Sequence, residues 1–334
     1  MKNAVTPERV MQFAWGYAPT LIIEAAVRHH VFDLLDESPK TIPQLAKQSG
    51  ASQRGLTAIV NALVGLNFLS RKGERYALTP ESAAFFVSTR PGFLGALYRH
   101  MALQIIPKWL QLDRVVRTGK PATAVNDQKT GAAFFAEFVE SLFPMGYHAV
   151  VALGEHLKIA KTKTPIRVLD IAAGSGVWGI ALAEQSPLVR IAAVDWPEVL
   201  KVTKKVAKRH GLANRLETIP GDIGKVDFGS GYQIATLGHI MHSEGRERSR
   251  RLLRKVFRAL APGGTIVIGE FVPNDQRTGP PNALIFAVNM LVNTEHGDTF
   301  TFAEMSQWLR ESGFRNPRKL DAGGVSPLIL ATKP

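Results

Sequence analysis

Apolar residues recur at helical spacing through the first half of the chain and in short unbroken runs through the second, so the two halves predict different architectures. The stretch from Leu21 to Leu35 reads as an apolar helix. Thr41-Ile-Pro-Gln-Leu-Ala-Lys-Gln-Ser-Gly50 has an N-cap threonine, a proline in its first turn and a closing glycine. A third helix is predicted from Ser52 to Gly65, and Phe68 to Leu78 reads as two short strands around Lys72-Gly73. Three helices and a hairpin make a winged-helix pattern. Such modules commonly present polar side chains of the third helix to DNA. Here that helix offers Ala58, Ile59, Val60, Ala62, Leu63 and Val64, with Gln53 and Arg54 near its start as the obvious base readers, a composition built for packing. Further helices run to about Lys158, broken by the polar stretch 121–130. Lys161-Thr-Lys-Thr-Pro165 reads as the linker between domains 1–160 and 166–334.

Beyond Pro165 the chain alternates between strands and helices. Arg167–Ile171, Arg190–Asp195, Leu216–Asp222, Tyr232–Leu237 and Gly264–Glu270 are the strands, with helical stretches between them. Short apolar strands joined by helices predict a mostly parallel, doubly wound α/β sheet. A helix at Thr301–Ser312 and strands near 318–321 and 328–332 close the chain.

Directly after the first of these strands comes Asp170-Ile-Ala-Ala-Gly-Ser-Gly-Val-Trp-Gly179. Its Gly174, Gly176 and Gly179 satisfy GxGxxG between a strand and a helix, and Asp195 ends the next strand. Glycines let the backbone approach a ligand, and a carboxylate at that second strand end holds ribose hydroxyls. Both nicotinamide dinucleotides and S-adenosylmethionine (SAM) use such a turn. A pyrophosphate is anionic and disfavours a carboxylate at the strand end, yet Asp170 stands there, and Asp222 of Gly221-Asp-Ile223 ends a third strand. Three strand-end carboxylates favour SAM, which carries an amino group and a sulfonium.

From about Thr6 to its C-terminus the chain resembles the SAM-dependent small-molecule O-methyltransferases of the plant caffeate and bacterial hydroxyneurosporene type. The resemblance rests on Val168–Gly176, Val194-Asp-Trp-Pro-Glu-Val199, Gly221-Asp222, Ile240-Met-His242 and Ala261-Pro-Gly-Gly264. It implies a class I, Rossmann-like methyltransferase domain preceded by a mainly helical winged-helix domain that serves dimerisation. Carried over, Asp170, Ala172, Gly174, Gly176, Asp195, Trp196, Asp222 and Ile223 form the SAM site, with S-adenosylhomocysteine as product. Gly174 would line the amino-acid moiety, Asp195 the ribose, and Asp222 with Ile223 the adenine. Ala172 stands where the family has the first glycine of its motif.

The family's general base is a histidine in His-Asp-Trp; His242 takes that position here, followed by Ser243 and Glu244. An imidazole can accept a phenolic proton as the oxygen attacks a methyl group. His239 is read as an ordinary polar residue. Glu270 keeps the family's carboxylate after strand five and is expected to orient His242. The second family glutamate aligns with Thr299, and the family's lysine before the histidine with Gly238. Glu295, His296 and Asp298 are the candidates to stand in for that glutamate. The acceptor pocket, which in the family lies between the domains, would draw on Phe138, Met145, Met241, Phe286, Asn289 and Met290, so the expected acceptor is apolar, aromatic or polycyclic.

Charge and composition narrow the alternatives. The 334 residues carry a net +13, divided as +7 on residues 1–166 and +6 on the rest, so neither half is a basic tail. The clusters Lys201–Arg209 and Arg246–Arg258 interleave with apolar residues at helical spacing and read as solvated helix faces. No specific nucleic-acid partner is expected. The absence of cysteine excludes disulfides, thiolate metal sites and the nucleophile of cytosine-C5 methylation. Gly279-Pro-Pro-Asn282 fails the amino-methylation signature at both ends. The longest uncharged N-terminal run, Val10 to Ile23, is too short for a membrane span. The expectation is therefore a cytoplasmic, homodimeric O-methyltransferase without a metal. Carbon or nitrogen methylation, and a DNA-binding regulator, are the alternatives.

Overall fold

The computed structural model describes residues 5–125, 128–136, 138–324 and 326–334, so positions 126 and 127 of the polar stretch 121–130 lie outside it. The chain divides into two compact units, one ending at Pro107 and one spanning Lys108–Pro334.

The first unit is helical. Helices α1 (Glu8–Ala14), α2 (Ala18–Arg28), α3 (Val31–Glu37), α4 (Ile42–Ser49) and α5 (Gln53–Gly65) precede a hairpin of β1 (Leu69–Lys72) and β2 (Arg75–Leu78). The predicted single helix from Leu21 to Leu35 is two helices, because His30 takes a left-handed φ of 56° and turns the chain between them. Helix α4 has the predicted limits. Thr41 and Gln44 form a capping box, and Gly50 closes the helix at φ 72°. Leu56, Val60 and Leu63 of α5 enter one core with Phe32, Leu35, Leu45, Leu69 and Tyr76, while Arg54, Thr57 and Asn61 face outward. In contrast, α1 buries nothing: its Val10 and Phe13, and Trp15 just after it, are all more than half exposed.

The second unit is built on a seven-stranded sheet. Its strands are β3 (Ile166–Ile171), β4 (Val189–Asp195), β5 (Leu216–Pro220), β6 (Tyr232–Gly238), β7 (Leu260–Gly269), β8 (Arg315–Leu320) and β9 (Leu328–Thr332). They lie in the order β5-β4-β3-β6-β7-β9-β8, with β9 antiparallel to both its neighbours and the other six strands running in one direction. Leu169, Ile171, Val194, Ala235, Leu237 and Ile268 are fully buried, as parallel strands covered on both faces require. The chain enters at β3, moves outward to β5 and returns to β6 on the other side of β3. The carboxyl ends of β3 and β6 therefore flank a topological switch point, where open α/β sheets bind ligands.

The helices used below are α6 (Gln128–Ala136), α7 (Phe143–His156), α8 (Val177–Glu184), α9 (Pro197–Arg209), α10 (Met241–Ala259), α11 (Pro281–Asn293) and α12 (Phe302–Glu311). The division after Pro107 differs from the expected linker at 161–165. Val150 and Leu153 of α7 belong to the same buried cluster as Val168 of β3 and Ala181 of α8, which ties α7 to the sheet. The basic clusters also carry more structure than solvated faces. Lys205 and Arg209 of α9 both reach Glu140, at 2.9 and 2.8 Å, and in α10 Arg248 pairs with Glu244 and Arg250 with Glu311. Among the described residues no helix is long and apolar enough to cross a membrane.

Candidate active site

The glycine turn after β3 is braced from beneath. Ala172, Gly174 and Gly176 have φ values of 54°, 56° and 80°, so the position where the family has glycine and this chain has Ala172 is left-handed, a conformation that costs a non-glycine residue about 1 kcal/mol. Asp170 is fully buried. Its Oδ2 accepts the Gly179 N–H at 3.0 Å and its Oδ1 accepts the Thr236 hydroxyl at 2.7 Å. Burial pushes this carboxyl up to about 7, although the bonds from Thr236 and Gly179 pull the other way. Sequence reasoning expected Asp170 to face a cationic ligand. Instead it pins the start of α8 to β6, and it reaches a ligand only through the turn it supports. Thr203 of α9, which the sequence did not single out, holds the turn from above by donating to the Gly174 carbonyl at 2.7 Å.

Asp195 ends β4 beside this turn. Its Oδ2 accepts the Gly174 N–H at 2.9 Å and its Oδ1 the Trp196 N–H at 2.7 Å. Burial raises it to about 6 despite these two donors. Trp196 packs on Phe135 of α6, with ring centroids 6.1 Å apart. Asp222 follows β5; its Oδ1 accepts the Gly224 N–H at 2.7 Å, and Lys225 and Arg248 each approach it at 3.8 Å. Ile223 is 8 % exposed beside it. The turn, Asp195 and Asp222 thus sit at the ends of three adjacent strands. The Gly174 N–H, which a pyrophosphate would need, is already committed to a carboxylate. That set of carboxylate acceptors fits the hydroxyls, amino groups and positive charge of SAM and opposes a dinucleotide.

His242 and Glu270 meet at the ends of β6 and β7. The imidazole Nδ1 lies 2.7 Å from Glu270 Oε2, and the backbone N–H of His242 donates to Oε1 at 3.1 Å, so one carboxylate fixes both the ring and the main chain. Burial alone would raise Glu270, but His242 and, more weakly, His239 hold it below the ordinary glutamate value. An ionised carboxylate only accepts, so Nδ1 carries the proton and Nε2 is left as the basic nitrogen. The kink of α10 at Gly245 (φ 71°) and the closeness of Gly297 let the 295–299 loop reach His242, whose carbonyl accepts the Asp298 N–H at 2.9 Å. Glu295 and His296 are exposed, and the Asp298 carboxylate lies 3.7 Å from Arg277. Thr299 is buried. His239, His242 and Glu270 offer three potential metal-ligand atoms within 4.8 Å of one another. The 2.7 Å separation of His242 and Glu270 is, however, that of a hydrogen bond, shorter than the roughly 3.4 Å between ligands sharing a tetrahedral zinc.

An aromatic wall stands beside the imidazole. Phe286 of α11 meets His242 edge-on at 4.8 Å and stacks on Phe271 at 4.0 Å. His239 packs on Phe271 at 5.2 Å with a left-handed φ of 59°. Although exposed, its ring is surrounded by enough protein to push its pKa below the ordinary histidine value. His239 and Phe271 are additions to the site; position next to His242 and Glu270 was their only sequence signal. Asn289 accepts the Trp109 indole N–H at 2.9 Å. Phe138 is 9 % exposed and clusters with Phe134 and Phe135. One expected lining residue is placed otherwise. Met241 is fully buried in the core beneath β6, because it begins α10 on the inward side. Met290 is 5 % exposed. Met145 is half exposed on the first turn of α7.

Gly238, which replaces the family's lysine, has a structural partner. A Cβ there would lie 1.9 Å from the Trp178 indole nitrogen, and one on its cross-strand neighbour Gly269 would lie 2.5 Å from the far edge of the same ring. The indole of α8 thus covers the two glycines that immediately precede His239 and Glu270. Gly238→Ala is expected to lower stability by about 1–3 kcal/mol through overpacking. The double variant Gly238→Ala/Trp178→Phe should recover part of that loss in urea unfolding, whereas additive losses would refute the contact.

Comparison with known proteins agrees with this geometry. Residues 113–315 match the family of the O-methyltransferase domain, and residues 11–88 match the O-methyltransferase dimerisation domain. The chain is 28% identical to 3-hydroxy-5-methyl-1-naphthoate 3-O-methyltransferase of Streptomyces sahachiroi, over 98% of this chain and 95% of that protein. It is 24% identical to the tetracenomycin polyketide synthesis 8-O-methyl transferase of Streptomyces glaucescens, over 98% and 97%. The fold resembles that of human N-acetylserotonin methyltransferase solved with SAM, with a TM-score of 0.86 and 22% identity over 100% of this chain and 99% of that one.

Proposed function

The chain belongs to the O-methyltransferase family and is SAM-dependent, and we propose that it methylates a hydroxyl of a small aromatic or polycyclic molecule with His242 as general base. The observation that carries this reading is the His242–Glu270 pair, which leaves a basic Nε2 beside the Phe271–Phe286 wall. When bound, SAM supplies an electrophilic methyl group on a sulfonium. Gly174, Gly176, Asp195, Trp196, Asp222 and Ile223 would hold it. His242 Nε2 takes the acceptor's hydroxyl proton, and Glu270 keeps the proton on Nδ1 and stabilises the imidazolium that forms. Phe286 and Phe271 offer apolar faces that orient a flat ring and exclude water. The relatives whose names specify naphthoate and tetracenomycin substrates support a polycyclic phenol as acceptor. Turnover of hydroxylated naphthoates with SAM, with the product's methyl position resolved by NMR, tests this directly. Carbon methylation would replace the oxygen reading, and the match of half this chain to an L-tyrosine C(3)-methyltransferase keeps it the second reading.

The same reading includes a cytoplasmic homodimer through the dimerisation domain. The exposed Val10, Phe13, Trp15 and Tyr17 support an interface on the first unit, since apolar surface of this kind is usually covered by a partner. Light scattering at micromolar concentration should give about twice the 36.5 kDa chain mass, and a monomer would refute it.

A further inference from the structure

The strands that carry the candidate site at their carboxyl ends carry arginines at their amino ends. Arg167 and Arg190 are direct cross-strand partners on β3 and β4. Arg215 immediately precedes Leu216, the β5 partner of Ile191, so the row extends across a third strand. Neighbouring strands lie about 4.8 Å apart, and like charges directly opposite one another are destabilising.

The interactions of these arginines do not neutralise them. Arg167 donates to the Ser230 carbonyl at 2.9 Å and lies over the Tyr232 ring at 4.5 Å. Arg190 donates to the Asn214 carbonyl at 3.0 Å, and Arg215 to the carbonyls of Ala183 and Ser186 at 2.9 and 2.8 Å. These acceptors are backbone oxygens, which orient the guanidinium groups without cancelling their charge. All three arginines line one cavity of about 160 Å³, together with Asn214, Glu217 and Tyr232. Glu217 is the one carboxylate of that lining, so the wall has a formal charge of +2.

We propose that this cavity is a second ligand site, which takes a small free phosphate-class oxyanion. Guanidinium forks match phosphate oxygens in geometry, and a phosphate group carries about −1.5 to −2 at neutral pH, the charge the wall lacks. Four residues of β3, Val168 to Ile171, separate Arg167 from the start of the glycine turn at Ala172 by roughly 16 Å, so this anion is neither the acceptor nor part of SAM. Its role is to tie three strand ends that otherwise repel one another.

The test is thermal unfolding of the full chain at pH 7.5 in sodium phosphate against sodium chloride of equal ionic strength. At phosphate ten times above its Kd, Tm should exceed the chloride value by about 2–4 °C. Arg190→Gln removes the middle charge. It should melt no lower than the wild type in chloride, lose the phosphate increment and bind SAM as before. If that variant fails to fold, Arg190→Lys keeps the charge without the fork and should lose most of the increment. Equal shifts in the two salts, or a full increment in either variant, would overturn the site. A phosphoserine peptide that raises Tm where inorganic phosphate does not would overturn the free-anion assignment.

Discussion

His242→Gln is expected to lower kcat by a factor of about 10² to 10⁴, the range for loss of a general base, with SAM affinity nearly unchanged. Glutamine can still donate from its amide to Glu270 but has no basic nitrogen to accept the acceptor's proton. A purely structural role for His242 would depress all acceptors alike. A base role predicts that the deficit shrinks for phenols acidic enough to be ionised at the assay pH. Glu270→Gln should fall between wild type and His242→Gln, because an amide no longer enforces the proton on Nδ1. Full activity in His242→Gln with every acceptor would shift the reaction to one driven by proximity alone, and the methylated atom away from oxygen.

Asp195→Ala is expected to weaken SAM binding about 10- to 100-fold by calorimetry, the scale of charge-assisted hydrogen bonds lost together. The pH dependence makes the prediction specific. Asp195 sits near 6 in the folded protein, so below that pH SAM must displace a proton from it, and affinity should fall by about tenfold per unit. The variant should show no such slope. Stability of the free protein runs the opposite way. A carboxyl whose folded pKa is raised binds its proton more tightly when folded, so stability declines as pH rises from about 3.8 to about 6 for Asp195 and to about 7 for Asp170. Unaltered SAM affinity in folded Asp195→Ala would remove this carboxylate from the site.

Much of this was legible from local pattern. The N-cap Thr41 of α4 and its closing Gly50, the succession of strands after Pro165, and the glycine turn between β3 and α8 all follow from residues close together in the chain. The break at His30 was hidden because two adjacent histidines interrupt neither the apolar spacing nor the charge pattern, while the turn needs only one residue at positive φ. The division after Pro107 was hidden for a different reason. A polar, proline-ended segment reads as a linker, yet which core the preceding helix α7 joins depends on contacts with β3 and α8.

The sequence by itself determined the fold class and the glycine turn, since these rest on the period of apolar residues and on motifs spanning a few positions, whereas the pairing of His242 with Glu270 was implied by the family resemblance. Tertiary structure decided what each carboxylate does. Asp170, Asp195 and Asp222 look alike as strand-end acids, but the first is sealed beneath the turn and the others stand beside it. It likewise buried Met241, brought His239 and Phe271 to His242, seated Trp178 over two glycines and aligned Arg167, Arg190 and Arg215 into one row. Each of these depends on strand register or on the direction of a side chain from its element, and residues tens of positions apart carry no record of either until the sheet assembles.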